Sequence, residues 1–122
     1  MLQGAAHSNT LIGSGAGDSL TTSTSNTAVG FEALSTASNY GENTAIGYRA
    51  LKAVTTGSFN VGVGYHSLTA NTTGANNTAL GNNSLEANTT AADNTSVGAC
   101  SMCKNTTGHS NVAVGHCALF TN

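Results

Sequence analysis

The sequence lacks proline and tryptophan, and it is poor in charged and aromatic side chains. Of its 122 residues only 7% are charged, and it has 3 Phe and 3 Tyr. The cations are Arg49, Lys52 and Lys104, too few to neutralise a phosphate backbone, so nucleic acid is not expected as a partner. The scarcity of large side chains disfavours a conventional globular enzyme. The absence of proline, with low charge, disfavours a disordered linker.

Long apolar runs are missing as well. No stretch approaches the roughly 20 residues that a membrane-spanning helix needs. Residues 1–8 have neither the basic start nor the apolar run of a signal peptide. We therefore expect no insertion into a membrane.

What the sequence does contain is a repeat of 17 residues without insertions. Each repeat begins with Asn, has an aliphatic residue at its fourth position, Gly at its fifth, a small residue at its eighth and, except in the first repeat, Leu or Met at its ninth. The Asn column is Asn9, Asn26, Asn43, Asn60, Asn77, Asn94 and Asn111, and the Gly column is Gly13, Gly30, Gly47, Gly64, Gly81, Gly98 and Gly115. Residues 9–122 thus form seven repeats, the last incomplete, after a lead-in over residues 1–8 that resembles the end of a preceding repeat.

A unit of 17 residues cannot bury its aliphatic residues alone, so neighbouring units must stack and share one core. Gly, Asn, Thr and Ser are poor helix formers, and Asn26–Phe31 alternates small and bulky residues with the period of a strand. The fold class predicted is all-β: a parallel β-solenoid, or β-roll, with a second short strand through the Leu column. Residues 17 apart are predicted to pair in register, so that Val63 lies beside Ile46 and Leu80.

The recurrent Gly and Ala residues have two open explanations. The fifth position requires either a positive φ or the close approach of another backbone. The small face that contains Ala28, Gly30 and Ala33 either packs against another copy of the roll or lines a very thin core within one chain. The first alternative predicts a homotrimer around this face.

Units such as Asn43–Leu51 and Asn71–Gly81 resemble the repeats of bacteriophage tail-fibre and related surface-fibre proteins. More distantly they are similar to the head repeats of trimeric autotransporter adhesins. The resemblance covers residues 9–122, and it implies a left-handed β-roll that associates into a trimeric fibre. The 17-residue unit and its added Ala-Leu pair depart from the adhesin pattern. The resemblance implies an extracellular location, on a virion or a cell surface, and a glycan or protein receptor.

No catalytic, cofactor-binding or metal-binding residues are predicted. Cys100, Cys103 and Cys117, with His109 and His116, have a spacing that suggests zinc, but the column of Cys100 and Cys117 holds Gly, Glu, Arg, His and Asn in other repeats. A disulfide between Cys100 and Cys117, in neighbouring coils, is possible on distance. The carboxylates form no pair that suggests acid–base catalysis, and no Asp column suggests calcium.

Two functions fit these patterns. The first is a stiff structural or adhesive fibre segment, in which the variable seventh position, Glu32 to Asn83, is exposed and free to bind, and the aromatic column of Phe31, Tyr48 and Tyr65 packs in a core or interface or contacts glycans. The second is an ice-binding solenoid that uses the Thr pairs, such as Thr72/Thr73 and Thr89/Thr90, although adjacent Thr residues point to opposite faces of a strand. The absence of capping sequences predicts a longer parent protein or stabilising partner chains.

Overall fold

A computed structural model describes residues 8–37 and 41–122, and in it each repeat contributes one three-residue strand to a single parallel sheet. The strands are β1 (Thr10–Ile12), β2 (Thr27–Val29), β3 (Thr44–Ile46), β4 (Val61–Val63), β5 (Thr78–Leu80), β6 (Thr95–Val97) and β7 (Val112–Val114), and they lie side by side in that order. The predicted all-β parallel solenoid is confirmed. Residues 1–7 of the predicted lead-in lie outside the described residues.

The register of the sheet is the one predicted from the repeat. Every strand residue pairs with the residue 17 positions away, and Val63 lies between Ile46 and Leu80. Because the repeat has no insertions, each column of equivalent residues becomes a ladder along the solenoid. The seven strands at a spacing of about 4.8 Å give a rod roughly 34 Å long.

The prediction of a second strand through the Leu column is wrong for the described residues. The segment after each strand is a series of turns in which the seventh and ninth positions have left-handed backbone, for example Arg49 at φ 55° and Leu51 at φ 51°. Left-handed backbone is uncommon for non-glycine residues, and for a bulky residue such as leucine it marks a turn. Two such residues so close together bend the coil sharply and turn the ninth side chain inward.

The interior of the coil is very thin, and small residues line most of it. Ala28 and Ala33 are completely buried, as is Leu34 from the ninth position. Ala28 and Ala33 of the small face therefore line the core of a single chain, as the second alternative predicts, whereas Gly30 is partly exposed. Because the chain's own coils cover these two alanines, they are not free to contact another copy.

The aliphatic column at the fourth position is not part of this shared core. Ile46 is 38% exposed and Leu80 is 38% exposed, because alternate strand residues point to opposite faces and the third position has the inward one. The Leu and Met column at the ninth position, from Leu34 to Met102, supplies most of the large apolar side chains of the interior.

Both explanations for the fifth glycine hold at once. Gly64 has φ 137°, and a Cβ built on it would lie 2.5 Å from the carbonyl oxygen of Gly81. The backbone that approaches belongs to the next coil of the same chain. The glycine column thus sets how closely successive coils stack.

In the first repeat, glycine replaces the inward Leu at the ninth position, and a leucine at the third position of the same coil fills the space. Gly17 stands at the ninth position, and Leu11 stands at the third, where most other repeats have Ala. A Cβ on Gly17 would lie 2.7 Å from a methyl group of Leu11, so the leucine side chain already occupies that space. Residual space remains as a cavity of about 290 Å³ beside Leu11 and Leu20.

The Asn column forms a ladder of hydrogen bonds through the interior. The side-chain oxygen of Asn77 accepts the backbone N–H of Asn94 at 3.1 Å, and its amide group donates to the carbonyl of Ala91 at 2.9 Å. Asn43 and Asn60 repeat this arrangement. Each asparagine therefore fastens its own coil and the next one, and its buried polar atoms have partners.

A second Asn ladder runs through the twelfth position, where the sequence analysis singled out no column. The amide of Asn88 donates to the oxygen of Asn71 at 2.9 Å, and the amide of Asn105 donates to that of Asn88 at 3.1 Å. The first three repeats have Leu20, Ala37 and Val54 at this position instead. Asn occupies the twelfth position only from the fourth repeat onward, so this column does not appear among the residues that all repeats share.

Candidate functional site

The sheet presents a continuous, uncharged face to the outside, which we call the outer sheet face. It consists of the side chains at the second and fourth positions of every repeat. They are Thr10, Ile12, Thr27, Val29, Thr44, Ile46, Val61, Val63, Thr78, Leu80, Thr95, Val97, Val112 and Val114. A regular aliphatic column in partial contact with water is unusual for a monomer, since extended apolar patches mark interaction sites.

An aromatic ladder borders the outer sheet face in the second, third and fourth repeats. The ring centroids of Phe31 and Tyr48 are 5.3 Å apart, and those of Tyr48 and Tyr65 are 5.2 Å apart, with the rings nearly parallel. Tyr65 is 52% exposed, so the ladder is not part of the core. Because the rings stack face to face, much of the ring surface is covered by neighbouring rings and the edges remain for contact with a partner.

A small ion cluster lies beside the ladder. The carboxylate of Glu32 accepts hydrogen bonds from Lys52 Nζ at 2.7 Å and from Arg49 Nε at 2.8 Å. The bond from Lys52, with the guanidinium of Arg49, holds the pKa of Glu32 below its ordinary value of 4.5. The guanidinium of Arg49 also lies 5.0 Å from the ring centre of Tyr48, so the cluster is tied to the ladder by a cation–π contact.

The next group along the same corner is formed by His66, Glu86 and Cys103. The ring of His66 stacks on Tyr65 at 4.3 Å, and its Nδ1 is 3.8 Å from a Glu86 oxygen. The thiol of Cys103 donates to the other oxygen of Glu86 at 3.4 Å. Burial and the Glu86 carboxylate raise the pKa of the Cys103 thiol to about 11, so this cysteine stays protonated at neutral pH.

The seventh position is less open than the sequence analysis expected. The side chains of Glu32, Arg49 and His66 are 28%, 35% and 23% exposed, because they stack in one column along the corner. Each of them has a partner among its neighbours. The expectation of freely exposed side chains at this position is therefore wrong.

The Thr pairs lie in the bends between strands and not on the sheet. The hydroxyl of Thr72, at the thirteenth position, donates to the carbonyl of Thr89 in the next coil at 3.0 Å. Thr73 and Thr90, at the fourteenth position, are exposed. The hydroxyl of Thr55 likewise donates to the next coil, yet Thr21, Thr55 and Thr106 of the thirteenth position are exposed as well.

Within residues 8–37 and 41–122, no group of three His, Cys, Asp or Glu side chains is placed to hold a metal ion. Cys100, Cys103 and Cys117 are free thiols. Cys103 is buried beside Glu86, whereas Cys100 is half-buried and Cys117 is exposed. Among the described residues, Asp18 is the titratable side chain in the lining of the cavity beside the first repeat.

The described part of the chain has no helix with the length and hydropathy to cross a bilayer. Comparison with protein-family models, with curated proteins and with solved structures gives no match. The outer sheet face is therefore the feature of the solenoid that bears most directly on its function.

Proposed function

We propose that this chain is a structural or adhesive fibre segment, in which parallel copies of the solenoid associate through the outer sheet face. The observation that carries the proposal is the exposed aliphatic column at the fourth position. A single chain leaves this column partly in contact with water along all seven strands: Ile12, Ile46, Leu80 and Val114 are exposed, and Val29, Val63 and Val97 are half-buried. Burial of such surface stabilises an assembly by roughly 25 cal/mol for each Å² removed from water.

The partner best suited to this face is another copy of the chain. The face repeats with the spacing of the coils and carries no charge that would select an oppositely charged partner. A second solenoid has the same spacing, so its aliphatic side chains meet the column at every coil. Parallel alignment also brings the aromatic ladders of different copies to the same height, whereas antiparallel alignment does not.

Three copies are proposed because of the resemblance to trimeric adhesin heads. Rotational symmetry about the fibre axis keeps equivalent coils at one level and closes the assembly. The trimer surrounds its axis with the outer sheet faces and not with the small-residue face. The ion cluster and the exposed Thr row remain at the periphery, where a glycan or protein receptor outside the cell or virion would be contacted.

The mass of the protein in solution tests this proposal. Light scattering of the purified chain should give three times the mass of the chain, 12.1 kDa. Placing a carboxylate in the column with Ile46→Asp should give monomers that keep their β-type circular dichroism, since Ile46 points away from the chain's own core.

Thr73→Asp is the matched control, because Thr73 is exposed on another side of the coil. It introduces the same charge and should leave the trimer intact. A monomeric wild-type protein would contradict association through this face. A parallel dimer would agree with association through the outer sheet face but would contradict the proposed trimer.

Ice binding is the alternative function, and it makes an opposite forecast. It needs a flat array of Thr side chains, yet the hydroxyl of Thr72 is already bonded to the next coil. We expect no gap between the melting and freezing temperatures of ice in a solution of the protein. A clear gap that is lost when Thr73 and Thr90 are both replaced by Tyr would overturn the fibre proposal.

A further inference from the structure

We propose that Cys100 and Cys117 form a disulfide that joins the sixth and seventh repeats, and that Cys103 stays outside it. The proposal is independent of the fibre function. It rests on the register of the coils and on the different surroundings of the three thiols.

The two cysteines occupy the same place in successive coils. The N–H of Cys117 donates to the carbonyl of Ala99 at 2.9 Å, so the register of the sheet continues through the seventh position. Their φ angles are 56° and 54°, and the equal backbone points the two side chains in the same direction. A coil spacing of about 4.8 Å lies within the range of Cα separations that disulfides span. It also places the two Cβ atoms about 4.8 Å apart, slightly more than a disulfide allows, so a small shift of the last coil accompanies bond formation.

The three thiols differ in their access to an oxidant. Cys103 is buried, bonded to Glu86 and held protonated, since its pKa is raised to about 11. Cys117 is exposed, and its sulfur lies 3.6 Å from Nε2 of His116. Cys117 is therefore the sulfur that reacts first, and Cys100 is the nearest one in its own column.

A small-molecule disulfide such as oxidised glutathione supplies the oxidant. The Cys117 thiolate attacks one sulfur of that disulfide, forms a mixed disulfide and releases one thiol. The Cys100 thiolate then attacks the Cys117 sulfur and releases the second thiol. Two protons and two electrons pass from the protein to the oxidant, and one free thiol, Cys103, remains.

The experiment equilibrates the protein with mixtures of oxidised and reduced glutathione, blocks free thiols with a maleimide and measures intact and tryptic masses. Trypsin cleaves after Lys104, which separates Cys117 from the other two cysteines. We expect one maleimide on the oxidised chain and a linked pair of peptides, 53–104 with 105–122. Cys103→Ser should give the same linked pair.

Cys100→Ser should lose the link and retain only glutathione adducts. This variant should fold, because the seventh position holds Glu, Arg, His or Asn in other repeats. Amide exchange in the seventh repeat should slow roughly tenfold on oxidation of the wild-type chain and not of Cys100→Ser. A link that survives in Cys100→Ser, bonds only between chains, or three free thiols under oxidising conditions would overturn the proposal.

Discussion

The fifth glycine combines a backbone requirement with a steric one, and the chain itself offers a way to separate them. Gly64 and Gly115 have similar φ angles, but a Cβ on Gly64 would collide with the Gly81 carbonyl at 2.5 Å. A Cβ on Gly115 would have Ala118 as its nearest neighbour, at 3.9 Å. The same substitution thus tests conformation alone at one site and conformation plus collision at the other.

We expect Gly64→Ala to lower the free energy of unfolding by more than about 3 kcal/mol, and Gly115→Ala to lower it by about 1–2 kcal/mol. Denaturant unfolding followed by circular dichroism measures both. Equal losses in the two variants would mean that the approach of the next coil contributes nothing.

The Glu32 carboxylate makes one contribution to stability dependent on pH. Its pKa is lowered in the folded protein, chiefly by the hydrogen bond from Lys52. A lowered folded-state pKa adds stability above the unfolded-state value of about 4.5, and this contribution disappears as the pH falls through the folded-state value.

Melting temperatures of the wild type and Glu32→Gln between pH 7 and pH 3 should therefore differ near neutrality and converge in acid. Because this cluster is open to solvent, the difference should also shrink when salt is added. A constant difference across the pH range would exclude the ion cluster as its cause.

At the scale of the element, the Asn ladder links each strand to the next. Asn77→Ala would remove the acceptor of the buried Asn94 N–H and the donor to Ala91. A buried group left without a partner costs about 1–3 kcal/mol, so the free energy of unfolding should fall by about 2–4 kcal/mol. Asn82→Ala, at an exposed sixth position, is the control and should change it by less than about 0.5 kcal/mol.

The strand register could be read from the sequence, whereas the direction in which each strand faces could not. A gapless 17-residue repeat admits one pairing, and the pairing of Val63 with Ile46 and Leu80 confirms it. The alternation in Thr27–Val29 places one small residue on one face of the strand and two larger residues on the other. It does not indicate which of these faces is buried. Leu51 has left-handed backbone, a conformation that leucine rarely adopts. The sequence therefore contains no residue type that would predict the turn that places this side chain in the interior.

The candidate site was also only partly predictable from the sequence. The aromatic column was visible in the sequence as residues of one position, and the structure stacks them. The pairing of Glu32 with Arg49 follows from their shared seventh position, whereas the contact with Lys52 was not visible, because Lys52 stands at the tenth position of the next repeat. This contact depends on the bend of the turns, which the sequence analysis replaced with a second strand.

At the scale of the whole molecule, stability is a sum over neighbouring coils. Interior coils contact a coil on each side, whereas β1 and β7 each have one paired neighbour in the described sheet. Solenoids of this kind open from their ends. Hydrogen exchange should be slowest in β3 to β5 and fastest in β1 and β7, and uniform protection along the chain would contradict this expectation.

The exchange of volume between Leu11 and Gly17 has a consequence for how such chains change in evolution. The compensating pair lies within one coil, so the coil carries its own solution to filling the interior. A recombination event that duplicates or deletes this repeat therefore moves Leu11 and Gly17 together and keeps the reading of every later column. The length of the solenoid can then change by this repeat without leaving an unfilled space in its interior.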